Sequence, residues 1–471
     1  MKEFYFDIVP KVIPDLDQNF RPASIQNRAF LHTVSKSKKQ VPLAISLERG
    51  EGQISTFRTF VFHEDDYMLD ANLFYVERLV KSLLWQRGGW KVTVGGPSYI
   101  GEYIKRTYSL GGLRDFDAKF MSRVYEKPFT VEITDYNNVT DSMEDTKPIG
   151  RHLEGCRIGF DAGGSDRKVS AVMDGKVVYS EEVIWHPKIN PDPDYHYREI
   201  LTAMQTAASY MPHVDAIGVS SAGVYINNRI MVASLFLKVP DEQFHAKVKD
   251  MYLNIAEKMG GIPLEVANDG DVTALAGAMD LEDSNVLGLA MGTSEAGGFV
   301  DSKGNITGWL NELAFMPVDF HPDAMADEWS GDFGCGVKYF SQDAVIKLAP
   351  RAGIRLDKKL TPAEKLEFVQ KLHEKGHDGA AKIFKTIGCY LGYSIAHYAD
   401  FYDMKHVLLL GRVTSGKGGN IILLTALEVL KVEFPALASK IKLHLPEETN
   451  RRVGQSIAAA SLPELKSLEV E

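Results

Sequence analysis

The residues I-G-F-D-A-G-G-S-D-R-K-V-S-A-V, Ile158–Val172, say more about this chain than any other stretch of it. An apolar strand ends in Asp161, turns tightly through Gly163-Gly164-Ser165, and runs straight into a second strand. Without a Cβ, backbone N–H groups at the two glycines can approach a phosphate closely. An aspartate at the mouth of such a turn can hold Mg²⁺ through water beside a nucleotide's phosphates. An ordinary glycine hairpin has the same local sequence, so the remainder of the chain must choose between the two.

A second strand–turn–strand appears at Val286–Val300, where apolar residues lead into Gly292-Thr293 and Gly297-Gly298 opens the return strand. Each unit is followed by a short polar hairpin, Asp174-Gly175-Lys176 and Ser302-Lys303-Gly304-Asn305. Two such units suggest a duplicated architecture closing on a nucleotide; two unrelated hairpins are the alternative. Between them lies Ala267-Asn268-Asp269-Gly270-Asp271, followed by the helix-like run Val272–Met279. Asp269 reads either as a helix N-cap, favoured by the macrodipole, or as a general base for an attacking hydroxyl.

Taken in order, these pieces resemble the ROK group of the sugar kinase–actin–Hsp70 superfamily, which comprises ATP-dependent sugar kinases and sugar-responsive repressors. The resemblance runs from about Cys156 to the C-terminus. It includes the turn Asp161–Lys168 and the strand Ile217–Val224, which is similar to I-G-V-P-G-P-V. Asn268-Asp269, the Gly292 turn and Asn311–Val318 follow, the last similar to G-E-I-G-H-I-P-V. Gly331-x-x-Gly334-Cys335, with Tyr339 and Ser341, resembles the end of the family's zinc segment, and Val407–Ser415 resembles its adenosine-contacting strand and turn.

The resemblance implies an α/β, two-lobed actin-like ATPase fold, a duplicated ribonuclease H-like arrangement, using ATP and Mg²⁺. It implies that Asp269 is the catalytic base, that Asn268 and Glu312 bind sugar hydroxyls, and that Asp161 serves Mg²⁺ through water. Gly163, Gly164, Ser165, Lys168, Gly292, Thr293, Gly297 and Gly298 would line the phosphates, and Gly411 would approach the adenosine. The expected reaction is phosphorylation of a hydroxyl on a sugar or sugar derivative.

Several positions depart from the family pattern. The zinc-binding histidine is replaced by Phe315, and the first two cysteines by Glu328 and Ser330, leaving Cys335 alone. One thiolate cannot make a closed tetrahedral site, so no zinc is expected there. Phe315 and Val337 also stand where the family has sugar ligands. A buried hydroxyl left unpaired costs about 1–3 kcal/mol, so two losses weaken a glucose-like substrate by roughly 10² or more. In the second turn, Ser294 and Ala296 replace glycines, and Glu295 either points outward or helps hold a metal. These departures keep open a non-catalytic, ROK-like sugar sensor.

Residues 1–135 read as an additional N-terminal α+β domain, 136–150 as a polar linker, 151–280 as one lobe and 281–471 as the other. Period-two alternation predicts strands at Leu43–Leu47, Ile54–Phe62, Lys91–Val94 and 129–133, and Leu69, Leu73, Val76, Val80 and Leu83 mark a core-facing helix stripe over Tyr67–Arg87. Gly95-Gly96-Pro97-Ser98 reads as a plain turn or an anion site at a helix start. ROK repressors carry an N-terminal helix-turn-helix, but residues 1–150 hold 20 Lys+Arg against 20 Asp+Glu, without the basic face of a DNA reader. That domain either covers the sugar cleft or mediates dimerisation, and a homodimer is the expected state.

With 45% hydrophobic residues, 471 residues can bury two or three domain cores. No apolar run reaches membrane-spanning length, and Met1–Lys11 lacks a signal peptide's core. Three widely spaced cysteines point to a reducing cytoplasm, and a formal charge of −10 disfavours nucleic acid. Ala380–Tyr398 reads as core helix. His186 and His196 lie in a Pro- and Asp-rich loop that could reach a substrate cleft.

Overall fold

The computed structural model describes residues 6–50, 52–64, 67–144, 148–446 and 448–465, with side chains from 454 onward in the last segment. Residues 1–5 of the expected N-terminus and 145–147 of the expected linker lie outside the described residues.

The helix Ala23–Lys36, which no sequence pattern announced, precedes a sheet of β1 (Gln40–Gly50), β2 (Gln53–Phe62), β3 (Lys91–Gly95) and β4 (Thr130–Thr134). Its order is β2-β1-β3-β4, with only the β3–β4 pair parallel. The helix Leu69–Arg87 forms on the expected stripe, with Val76, Val80 and Leu83 buried. Its other faces are buried too, including Glu77, Arg78, Lys81 and Gln86. Gly95–Ser98 connects β3 directly to the helix Ser98–Thr107. The polar run after Tyr136 lies along β2: Ile54 and Met143 exchange backbone hydrogen bonds, and Thr56 N donates to Ser142 Oγ.

The next segment holds β5 (Cys156–Ala162), β6 (Asp166–Met173), β7 (Lys176–Ile184), β8 (Ala216–Ser221), the hairpin β9 (Val224–Ile226) and β10 (Arg229–Val232), and β11 (Leu264–Asn268). The five-stranded sheet runs β11-β8-β5-β6-β7. β11, β8 and β5 are parallel, while β5, β6 and β7 form an antiparallel meander. Asp174 and Gly175, both with positive φ, make the two-residue turn between β6 and β7, a backbone twist suited to adjacent strands. Ile158, Phe160, Ile217 and Val219 are fully buried in a core shared with the helix Pro193–Ala208. The helix Glu448–Ala460 crosses the same sheet at Gly159 and Gly218, where a Cβ would collide with the helix backbone.

The last sheet contains β12 (Val286–Met291), β13 (Glu295–Val300), β14 (His406–Leu410) and β15 (Lys442–His444), ordered β13-β12-β14-β15. The helix Asp378–Tyr398 is buried along most of its length and packs on Lys417–Glu433, with Gly388 and Gly392 set against Ile422 and Val429. Ala380–Tyr398 is therefore core, as its composition indicates.

The chain divides into two compact units. One comprises Met1–Asp145, Leu289–Gly297 and Trp309–Leu445; the other comprises Thr146–Gly288, Gly298–Gly308 and Pro446–Glu471. The N-terminal region thus shares a unit with residues 309–445, and the C-terminal helix shares one with the β5 turn.

Candidate active site

Parallel register aligns the carboxyl ends of three strands in the second unit. Asp161 of β5 stands opposite Ser220 of β8, which stands opposite Ala267 of β11; the next row is Ala162, Ser221 and Asn268. Ligands of open α/β sheets bind at such carboxyl ends. Ser220 Oγ donates to Asp161 Oδ1 at 2.9 Å, and Lys168 Nζ lies 3.9 Å from both Asp161 Oδ2 and Asp166 Oδ1. Burial pushes the Asp161 carboxyl up to about 6; Lys168 and Ser220 oppose the shift, and Asp269 adds to it.

The glycine turn is held from outside by one tryptophan. Trp185 Nε1 donates to the Gly163 carbonyl at 2.8 Å, and Trp185 N donates to the Ser165 carbonyl at 3.1 Å. A Cβ on Gly164 would come within 2.7 Å of Lys188 Nζ. Lys188 therefore lies against the turn, a cation that no sequence spacing indicated.

Asn268, not Asp269, caps the helix Asp269–Asp280. Its Oδ1 accepts from Gly270 N at 2.8 Å, and its Nδ2 donates to the Gly223 carbonyl at 2.8 Å. Asp269 is the first helical residue. Its Oδ1 accepts from Gly270 N at 3.0 Å, and its own backbone N–H also bonds the carboxylate. Burial raises the Asp269 carboxyl above its ordinary range, against the Gly270 N–H and the nearby Lys188 ammonium. Beside it, Tyr225 Oη donates to Ser221 Oγ at 2.6 Å.

Asp271, unremarked in the sequence, fixes this helix start by accepting from Phe299 N at 3.1 Å. Gly298 lies against the backbone of Gly270 and Asp271, where a Cβ has no room. The second acid in N-D-G-D was the available signal.

The other unit contains Gly292, Thr293, Gly297, Glu312 and Gly411. Gly292 N donates to the Ser294 carbonyl, and Gln342 N donates to the Gly292 carbonyl, both at 2.9 Å. Thr293 is exposed at the turn. Gly297 packs on the Asn311 carbonyl and Leu313, and Gly411, at φ +92°, passes over the backbone of Met291. Glu312 is half-buried, its N–H bonded to the Trp85 carbonyl at 3.0 Å. Glu295 is buried, which corrects the expectation of an outward carboxylate. Tyr398 Oη donates to its Oε1 at 3.1 Å, and burial, reinforced by Glu312, pushes it up to about 8.

Phe315, at the family's histidine position, stacks on Trp85 with ring centroids 4.2 Å apart, beside Phe116 and Phe120. In the zinc-like segment, Asp332 faces Arg78 at 3.0 Å, Lys81 at 3.0 Å and Arg114 at 2.8 Å, all buried. Glu77 bonds Arg78 and Arg114, while Asp117 takes Lys81 and the Trp85 indole N–H. Cys335 is fully buried beside Asp332. His196 is also core: it lies within the helix Pro193–Ala208, its ring nitrogens 2.9 and 3.0 Å from the Asp192 and Pro187 carbonyls. It is not a loop residue reaching a cleft. All three cysteines are free and buried, and no helix among the described residues is long and apolar enough to cross a membrane.

The model of the ROK family matches residues 157–419, more than half of the chain. Among solved structures, the ROK hexokinase from Thermus thermophilus is 18% identical with a TM-score of 0.50, covering 64% of this chain and 97% of its own. A ROK family transcriptional regulator, a homolog of the E. coli MLC protein, is 17% identical with a TM-score of 0.50, covering 66% and 79%. The comparison with curated proteins gave no match. By this match and this fold, the chain belongs to the ROK family and has its α/β actin-like ATPase fold.

Proposed function

We propose that the protein is an ATP- and Mg²⁺-dependent kinase acting on a hydroxyl of a sugar or sugar derivative. The observation that carries this reading is the pairing of Asp161 with Ser220 at the carboxyl ends of parallel strands, with Asn268 in the next row and Asp269 just beyond it. Because Asn268 supplies the cap, Asp269 is left to take the acceptor's proton. Its raised proton affinity, from burial, suits a general base. Asn268 and Glu312 are the proposed sugar ligands. The Gly163–Ser165 turn with Lys168, and the glycines and Thr293 of the other turn, are the proposed phosphate contacts, with Gly411 toward the adenosine. Asp161, an oxygen donor backed by Ser220, is suited to a hard divalent ion held through water. ATP supplies the phosphoryl group, and Mg²⁺ neutralises its developing charge.

The test is ADP release from Mg-ATP across pooled hexoses, amino sugars, N-acetylated sugars and anhydro sugars. Stimulation by one pool, abolished by EDTA and restored by excess Mg²⁺, is expected. No stimulation by any pool counts against this reading.

A sugar-binding sensor without phosphotransfer is the second reading, favoured by Phe315 in an aromatic cluster and Glu295 in the second turn. Calorimetric sugar binding without ADP release would support it. A DNA-binding repressor is less favoured, on the zero net charge of residues 1–150. Tight salt-sensitive shifting of random duplex would favour it. Cytoplasmic location and a homodimer accompany the kinase proposal.

A further inference from the structure

β5 and β8 carry the proposed phosphotransfer residues at their carboxyl ends. A different set of side chains meets at their amino ends. Cys156 opens β5, Asp215 immediately precedes β8, and His213 lies two residues before Asp215. Cys156 Sγ, a His213 ring nitrogen and an Asp215 carboxylate oxygen all lie within 4.8 Å of one another. Asp215 N donates to the Cys156 carbonyl, and Cys156 N donates to Asp215 Oδ2, both at 2.7 Å. His213 Nε2 is 3.2 Å from that same oxygen. Gly155, at φ +80°, leaves the space the carboxylate occupies, since a Cβ there would come within 2.6 Å of Oδ2.

We propose that Cys156, His213 and Asp215 form a binding site for a divalent cation of the zinc class. Zinc takes sulfur at about 2.3 Å and nitrogen or oxygen at about 2.0–2.2 Å, so neighbouring donors in a tetrahedron stand roughly 3.3–3.6 Å apart. The His213–Asp215 separation of 3.2 Å is just short of this range. The sulfur lies within 4.8 Å of the other two donors, so it needs a closure of at most about 1.5 Å. Three protein ligands leave a fourth position for water. The backbone N–H of Cys156 fixes Asp215 Oδ2 in place, as a supporting hydrogen bond does at metal sites.

The donor chemistry excludes the nucleotide's own metal, because thiolate and imidazole select borderline-soft ions whereas Mg²⁺ takes oxygens. Binding converts the Cys156 thiol to a metal-bound thiolate and releases one proton. The site is separate from the phosphate turn: the five steps along the strand from Cys156 to Asp161 span about 16 Å. The inference therefore stands whether or not the protein is a kinase.

The experiment is titration of the chelator-treated full-length protein with Co²⁺, followed by absorption. The expected result is a near-ultraviolet thiolate-to-cobalt charge-transfer band that saturates at one ion per chain and is displaced by Zn²⁺. Cys156→Ser should abolish the band. His213→Ala, an exposed substitution that leaves the fold intact, should weaken binding at least about tenfold, since even supporting residues are worth that much. No band with cobalt in excess, or a band of undiminished affinity in either variant, would overturn the proposal.

Discussion

Asp269 and its neighbours show how much depends on single atoms. Asn268 and Asp269 are both residues that favour a helix cap, so the sequence left cap and base as alternatives; the Asn268 Oδ1–Gly270 N bond assigns the cap. Glycine behaves similarly. Gly164 and Gly298 look alike in the sequence, yet Gly164 faces the flexible end of Lys188 while Gly298 faces the Gly270 backbone. Gly298→Ala is expected to cost about 1–3 kcal/mol through overpacking, and Gly164→Ala much less. Urea denaturation midpoints of the two variants check this; equal losses would show that the contacts do not set the tolerance. Glu295 gives a pH dependence. The folded state keeps its proton up to about pH 8, whereas the unfolded chain releases it near 4.5. The folded state binds more protons in that window, so stability is greatest below it and falls as pH rises through it. Glu295→Gln should flatten this decline and raise the midpoint at pH 8. An unchanged slope would mean the carboxyl is solvated.

At the scale of elements, the helix Leu69–Arg87 was half legible. Its apolar stripe was plain in the spacing, but Glu77, Arg78 and Lys81 have the spacing of a solvated face, and only the fold shows them buried. Their partner Asp332 is more than 250 residues away in the chain, beyond the reach of any local pattern. Burial alone would raise the Asp332 carboxyl, but Arg78 and Lys81 hold it below its ordinary range. Asp332→Ala leaves three cations buried around a missing anion, and breaking a buried pair this way costs about 3–5 kcal/mol. Chemical denaturation measures the loss; a change under about 1 kcal/mol, the range of exposed pairs, would mean that the cluster is hydrated. The segment Gly331–Cys335, which resembles the family's zinc segment in sequence, is thus held here by charge pairing with the N-terminal region. The missing ligands were legible in the sequence, and their replacement was not.

For the molecule as a whole, the family and the α/β fold were legible because seven motifs occur in the family's order. The role of the first 135 residues was not, since their alternating strands describe a sheet without saying what it packs on. Trp85 on Phe315 and Arg78 on Asp332 tie this region to residues 309–445. A chain beginning at Gly150 is therefore expected to be insoluble or unfolded; a monodisperse product melting at the full-length temperature would refute this. The proposed kinase chemistry is tested most directly by comparing sugar-stimulated ADP release in the wild-type protein and Asp269→Asn, with circular dichroism on both. General-base help contributes roughly 10²–10⁴ in rate, so the account predicts a loss of that size in kcat, with KM for Mg-ATP little changed and an unaltered spectrum. Undiminished turnover in a folded Asp269→Asn protein would contradict it.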